Sequence, residues 1–443
     1  MITEKTMKNL LSLLVVAVLL TNCQTENQHS NVVTSDIQNF WEAYDKIQTT
    51  QDSVLQYAYL DSLYFQRGTL GLEGIRQARN YTPQAYIDAI NNYPKFWNSV
   101  RNNTLKADSY RDEIQKGLEK VKQLYPDLKP NKIYFTIGAL RTGGTYLDSL
   151  ALIGSEMAFA DEHTVATEFP VAIQKGRQTY FNQNPIDDVV FLAIQEFVHT
   201  QQKPFVHNLL SYCLHEGVGD FVAYTALDLK PNLPAITYGK QHKAVKEKFE
   251  TEMFYINNQN KWLWSDAPNE FGVRDLGYYI GYQICENYYK QAEDKKEAIK
   301  TMIELDYENE SQIEAFVEKT AFFSASLEAL HQAFEARRPY VTGIDQFKNN
   351  SDAVSTDIKQ ITVTFSRPLN GYNTGVDYGD LGENAFPKND INGRYWSQDH
   401  ASWTIPVDLE PNKTYQLYIT NNFRTQDDIP LKPYLIEFKT KDE

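Results

Sequence analysis

The stretch that decides the reading is Gln195–Tyr224, QEFVHTQQKPFVHNLLSYCLHEGVGDFVAY. It opens late in an apolar helical run, Asp187–Thr200. Gln195 and His199 are four residues apart, so a helix stacks them on one face. Glu196 lies between them, turned by about 100° in the helical repeat. A second apolar helical run carries Glu216 and, four residues on, Asp220. Two donor positions one turn apart, a carboxylate beside the first, an acid on the next helix and another acid behind it form a set that can grip a metal ion.

These residues resemble the gluzincin metallopeptidases, whose pattern is His-Glu-x-x-His followed by a distant Glu ligand. More closely, the chain is similar to predicted zinc-dependent proteases among the lipoproteins of gliding bacteria. Those read roughly HExxHTQQ, then EGxxDF, then GYxxGYxI. Here the matching stretches are QEFVHTQQ (195–202), EGVGDF (216–221) and GYYIGYQI (277–284). The resemblance extends, more weakly, from about Tyr81 to Phe323.

The resemblance implies a zinc site with His199 and Glu216 as ligands, Glu196 as general base and Asp220 orienting a ligand from behind. Tyr282, with Arg274, is the implied stabiliser of a tetrahedral oxyanion. The departure falls on the first ligand position, where Gln195 stands instead of histidine. Zinc takes imidazole, thiolate or carboxylate, and a neutral amide is a poor donor. Asp220, without that histidine, is free to pair with the Gln195 amide. His163, His207 and His215 are the candidates for a substitute ligand. Pro204 separates His207 from the first helix, and His215 points about 100° away from Glu216. All three read first as surface or satisfied histidines.

The chain has 443 residues, enough for two or three domains. Apolar residues make up 42% and aromatics 13%, which suits a globular protein. A net charge of −15 argues against nucleic acid as a partner and disfavours electrostatic docking on anionic lipid.

The N-terminus reads as a targeting segment. Lys5 and Lys8 precede the apolar run Leu10–Leu20, which is too short to span as a mature helix. Leu20-Thr21-Asn22-Cys23 then resembles a bacterial lipobox, which implies lipidation of Cys23 after removal of residues 1–22. Residues 23–35 are polar and read as a flexible tether. Cys213 and Cys285 remain, both in apolar helical context, where single buried thiols are common.

Residues 36–338 read as mainly helical. Ile37, Phe40, Trp41, Tyr44 and Ile47 fall at helical spacing, as do Tyr86, Ile87, Ile90 and Tyr93, and both stripes read as core. Ile133–Ala139 alternates and reads as a strand. Arg141–Thr145 is a turn, and Leu150–Ala160 reads as further strand. By the resemblance this hairpin sits beside the metal, where its edge binds peptide by strand addition. Gly277 and Gly281, four apart, allow close approach of a neighbouring helix.

Helical spacing stops near Arg337-Arg338-Pro339. Ile361–Phe365, Ala401–Ile405, Tyr415–Ile419 and Tyr434–Lys439 alternate like strands. Residues 339–443 resemble a bacterial Ig-like domain, in which Tyr372, Tyr378 and Trp396 read as exposed aromatics able to contact sugar or protein.

The expected fold is therefore multidomain α+β: a mainly helical zincin-like metallopeptidase domain with a small hairpin or sheet, then an all-β Ig-like sandwich. The expected protein is an outer-membrane lipoprotein, anchored through Cys23. Its metallopeptidase-like domain binds peptide or protein with weak or no hydrolysis and holds zinc weakly or not at all. An active zinc peptidase with an altered ligand set, and a structural envelope lipoprotein of gliding or uptake machinery, stand as alternatives.

Overall fold

The computed structural model describes residues 31–204, 207–265 and 267–442. The signal segment, Cys23 and most of the tether lie outside the described residues. The chain divides into two compact units. The first takes the described residues to 247 together with 256–322; the second takes 248–255 and the described residues from 323 onward. The composition read a break near residue 338, whereas the contacts put helix Leu327–Arg337 in the second unit. Among the described residues no helix is long and apolar enough to cross a membrane.

The first unit is built of helices around one small sheet. Its first strand, β1, is Val32–Val33, and its first helix, α1, is Ser35–Ile47. The stripe Ile37, Phe40, Trp41, Tyr44 and Ile47 is buried, and Trp41 donates its indole N–H to Thr104 at 2.9 Å. This is the aromatic core that the helical spacing predicts. It satisfies its one polar handle, as a buried indole must.

Three more strands complete the sheet: β2 (Lys132–Thr136), β3 (Gly144–Leu147) and β4 (Leu150–Gly154). The order is β1-β2-β4-β3, which leaves β3 at an edge. β1 and β4 flank β2 in parallel, and β3 returns antiparallel to β4. β2 and β4 are buried almost throughout and β3 is half-exposed along its length, as central and edge strands should be. The expected strand to Ala160 stops at Gly154, and Ser155–Ala158 turns into a short helix. The cause is Glu156, whose carboxylate accepts the backbone N–H groups of Gly138 and Leu140 at 2.8 and 3.0 Å. That tie draws the chain after β4 over the end of β2.

Three helices form the centre: α2 (Val189–His199), α3 (Leu209–Leu227) and α4 (Leu276–Gln291). α3 is predominantly apolar and nearly all of it is buried, the behaviour expected of a helix without a solvent-facing side. Asn208 caps it by accepting the Ser211 N–H at 2.7 Å. α3 and α4 touch backbone to backbone. A Cβ on Gly217 would lie 2.0 Å from the Gly281 carbonyl carbon, and one on Gly281 would lie 1.7 Å from the Cys213 oxygen. Only glycine permits that approach. Cys213 and Cys285 are both free and buried.

The second unit is rich in strands. One sheet orders β5 (Val341–Ile344), β7 (Gln360–Phe365), β10 (Ser402–Pro406) and β9 (Tyr395–Trp396). The other orders β6 (Ser351–Val354), β12 (Tyr434–Thr440), β11 (Thr414–Ile419) and β8 (Val376–Asp377). Ile361, Val363, Trp403, Leu417, Ile436 and Phe438 from both sheets join one buried cluster. Trp396 departs from the expected exposure. It packs against Phe365 and Phe423, with ring centroids 5.8 and 5.5 Å away.

Candidate functional site

α2 supplies Gln195, Glu196 and His199, and α3 supplies His215, Glu216 and Asp220. All six are buried, with between 1% and 9% of their surface exposed. His199 Nε2 lies 3.4 Å from Glu216 Oε2. The Gln195 amide nitrogen lies 3.3 Å from the same imidazole nitrogen and donates to the same carboxylate oxygen at 3.5 Å. The three side chains thus form a nearly equilateral triangle. Donors on a tetrahedral zinc, with bonds of about 2.0–2.1 Å, would stand about 3.3–3.4 Å apart. The triangle has the size of a zinc site. Two of its corners have the right chemistry, and the amide does not.

The imidazole is fixed from behind. His199 Nδ1–H donates to Gln202 Oε1 at 2.7 Å, and Gln202 in turn donates to the His215 carbonyl and to the Tyr307 hydroxyl at 3.2 and 3.1 Å. Nε2 is therefore the atom that faces Glu216. Burial opposes charging this ring, but the Glu216 and Glu196 carboxylates outweigh burial and push its pKa up to about 9.

Glycines make the room. A Cβ on Gly219 would come within 2.6 Å of His199 Cε1. A Cβ on Gly144, at the start of β3, would come within 2.5 Å of Glu196 Oε1. The Glu196 carboxylate thus abuts the edge strand. Burial, reinforced by Glu216, pushes its pKa up to about 7.

Asp220 differs from its expected pairing. Both carboxylate oxygens are buried without a hydrogen-bond partner. The Gln195 amide has turned to His199 and Glu216 instead. Burial raises the Asp220 pKa well above the ordinary range, and Glu216 adds to it.

His215, which the sequence reading set aside, and Tyr146, which it did not single out, join the cluster. The His215 ring stacks on His199 at 4.7 Å with only 6° between the planes. Tyr146 of β3 stacks on both imidazoles at 5.3 and 5.7 Å, with its hydroxyl 3.4 Å from His215 Nε2. Donor atoms of His199, His215 and Glu216 all lie within 4.8 Å of one another. Burial holds the His215 ring neutral, with its pKa well below the ordinary value. His163, by contrast, is exposed beside Glu162, and His207 pairs with the Tyr212 hydroxyl.

Tyr282 and Arg274 sit elsewhere. Tyr282 packs against Phe221 and Tyr224 under the Lys240 ammonium, 4.7 Å over its ring. Arg274 is half-exposed and pairs with Asp275 at 2.6 Å. The phenol of α4 that feels Glu216 is Tyr278, one turn earlier. Burial first, then Glu216, Asp275 and Asp220, raise its pKa, and its hydroxyl accepts the Trp264 indole N–H at 3.2 Å.

No curated protein matches the chain. Two solved structures of the surface-layer protein SbsC are similar at 11% identity, one of domains 1–6 and one of rSbsC(31-844). Each comparison covers 92% of this chain and 45% of that one, with TM-scores of 0.18 and 0.17. The chain thus spans less than half the length of those structures, and neither likeness bears on its fold or chemistry. Residues 22–272, more than half of the chain, match the family described as gliding motility protein GldB, and the chain belongs to that gliding-motility lipoprotein family.

Proposed function

We propose that the protein is a structural envelope lipoprotein of a gliding machinery. On this reading it is lipidated at Cys23, held at the outer membrane, and carries a zincin-like domain that no longer hydrolyses peptide, followed by an Ig-like domain. The family match supports the setting. The observation that carries the loss of hydrolysis is the Gln195 amide at the third corner of the His199–Glu216 triangle. A residue that can neither be charged nor bind zinc well now stands against the groups a metal would use. The cluster acts as a buried polar tie between α2 and α3, stacked under Tyr146. Partner protein is met at the half-exposed edge strand β3, whose outer edge can accept a further strand.

The test is metal content together with hydrolysis. Protein purified without chelator is expected to carry well under one zinc per chain and to leave casein intact. Stoichiometric zinc with casein cleavage that Glu196→Gln abolishes would overturn the proposal.

A second reading rests on His215. If its ring swings out of the stack on His199, then His199, His215 and Glu216 offer three donors of the right chemistry. Zinc held there would supply an acidified water, and Glu196 would be the carboxylate placed to receive a proton. This reading makes His215→Ala, and not Gln195→Ala, the substitution that removes metal.

A further inference from the structure

The connection between β7 and β10, residues 366–401, is long for a compact unit. It contains only β8, β9 and two single turns of 3-10 helix. Loops of this length without substantial secondary structure are uncommon and usually functional. Its surface is also unusual in kind. Tyr372, Tyr378, Leu381, Ile391 and Tyr395 are all between 48% and 70% exposed.

Within this segment β8 and the turn at Asn389–Arg394 line an open pocket of about 540 Å³, in the range of small-molecule sites. Its walls include Asp377, Tyr378, Phe386, Asn389, Asp390 and Arg394. Tyr378 stands edge-on to Phe386, with ring centroids 5.3 Å apart. The guanidinium is the unexplained group. Arg394 donates one N–H to Asn389 Oδ1 at 2.6 Å, while its Nε is buried with no hydrogen-bond partner. Among the described residues it makes no ion pair. The two aspartates are occupied locally instead. Asp377 accepts the Tyr378 N–H at 2.8 Å, and Asp390 accepts the Asn392 N–H at 2.9 Å. Each carboxylate retains further lone pairs.

We propose that this pocket binds a saccharide carrying a carboxylate, with Arg394 taking the carboxylate, the Tyr378 ring lying against a sugar face, and Asp377 and Asp390 accepting ring hydroxyls. A guanidinium fork matches a carboxylate, and no carboxylate of the described residues is paired with Arg394. The aspartates accept only, so they suit a ligand rich in hydrogen-bond donors, as a sugar is in hydroxyls. They and the net charge of −15 repel a ligand charged on every ring. One uronic acid among neutral sugars meets all three demands. A peptide carboxylate would also suit Arg394, but a peptide offers fewer donors per ring-sized volume than a sugar.

The test is calorimetric titration of the full chain with an aldotriouronic acid, one uronic acid on two xylose rings, against xylotriose. The acidic trisaccharide is expected to bind at least tenfold more tightly than xylotriose. Arg394→Gln should weaken it at least tenfold, and Tyr378→Ala severalfold without shifting the unfolding temperature. No binding by the wild-type chain would overturn the proposal, as would affinity unchanged in both variants. A tripeptide with a free C-terminal carboxylate that binds as tightly, and with the same dependence on Arg394, would overturn it in favour of a peptide site.

Discussion

Gly219 lies directly beneath the His199 imidazole, so close that a Cβ on it would stand 2.6 Å from Cε1 and 2.8 Å from Nε2. The ring cannot retreat easily. It is packed against both Tyr146 and His215 and tied by Gln202. Gly219→Ala should therefore destabilise the first unit by about 1–3 kcal/mol, the usual cost of overpacking a filled core. Thermal unfolding would register a drop of several degrees. The cost should largely vanish when His199 is already alanine, because the two residues share one contact. An equal loss in both backgrounds would mean that the strain lies in the helix and not in the ring.

Gln195→His should restore zinc binding. The substitution puts a third donor of the right chemistry at a corner whose distances already suit the metal. The new ring would also give the orphaned Asp220 carboxylate an N–H to accept. Zinc should then raise the unfolding temperature of the variant and not of the wild type. Adding Asp220→Ala should weaken zinc by about 10–100-fold, the range typical of lost outer partners of a metal ligand. A variant that takes up no zinc would show that the pocket has closed beyond repair by one residue.

Asp220 itself is a liability as the chain stands. Both oxygens are buried and unpartnered, and an unsatisfied buried polar group costs about 1–3 kcal/mol. Asp220→Val, similar in size and apolar, is expected to stabilise the wild-type chain by about 1 kcal/mol in chemical denaturation. In the Gln195→His background with zinc bound, the same change should destabilise. Loss of stability in both backgrounds would mean that the aspartate has a partner in solution.

The helical repeat made much of this cluster legible. Gln195 and His199 share a face because they are four apart, and Glu216 and Asp220 follow the same rule on the next helix. The strands of the second unit were legible through their period of two, from Ile361–Phe365 onward. Tyr146 was not, because a hairpin some fifty residues upstream brings it over the imidazoles, and no local pattern encodes that. His215 was set aside because neighbours on a helix diverge by about 100°. That argument holds for a helix with one buried side and fails for α3, which is buried on all sides. Tyr282, implied by the resemblance, packs on Phe221 and Tyr224 of α3, while Tyr278, one turn earlier, is the phenol of α4 that feels Glu216. The glycine spacing of α4 was visible, but the close approach it permits depends on Gly217 of α3, which no local pattern of α4 encodes.

Glu156 gives a prediction about pH that is independent of the His199 cluster. Its carboxylate is fully buried, and burial outweighs the Gly138 and Leu140 N–H groups to push its pKa from 4.5 up to about 7. The folded chain therefore holds this proton at pH values where the unfolded chain has released it. The contribution to stability is full below about 4.5 and is lost as pH rises through about 7. A shift of this size corresponds to about 3 kcal/mol in total. Glu156→Gln removes the titration but places an amide N–H₂ against one of the two backbone donors, so it should lower stability at pH 4.5. The informative quantity is the difference between wild type and variant across the range. Urea unfolding at intervals from pH 4.5 to 7.5 should show the wild-type advantage shrinking steadily as pH rises. A difference that stays constant with pH would mean that Glu156 is ionised throughout, with the two N–H bonds stronger than the burial that opposes them.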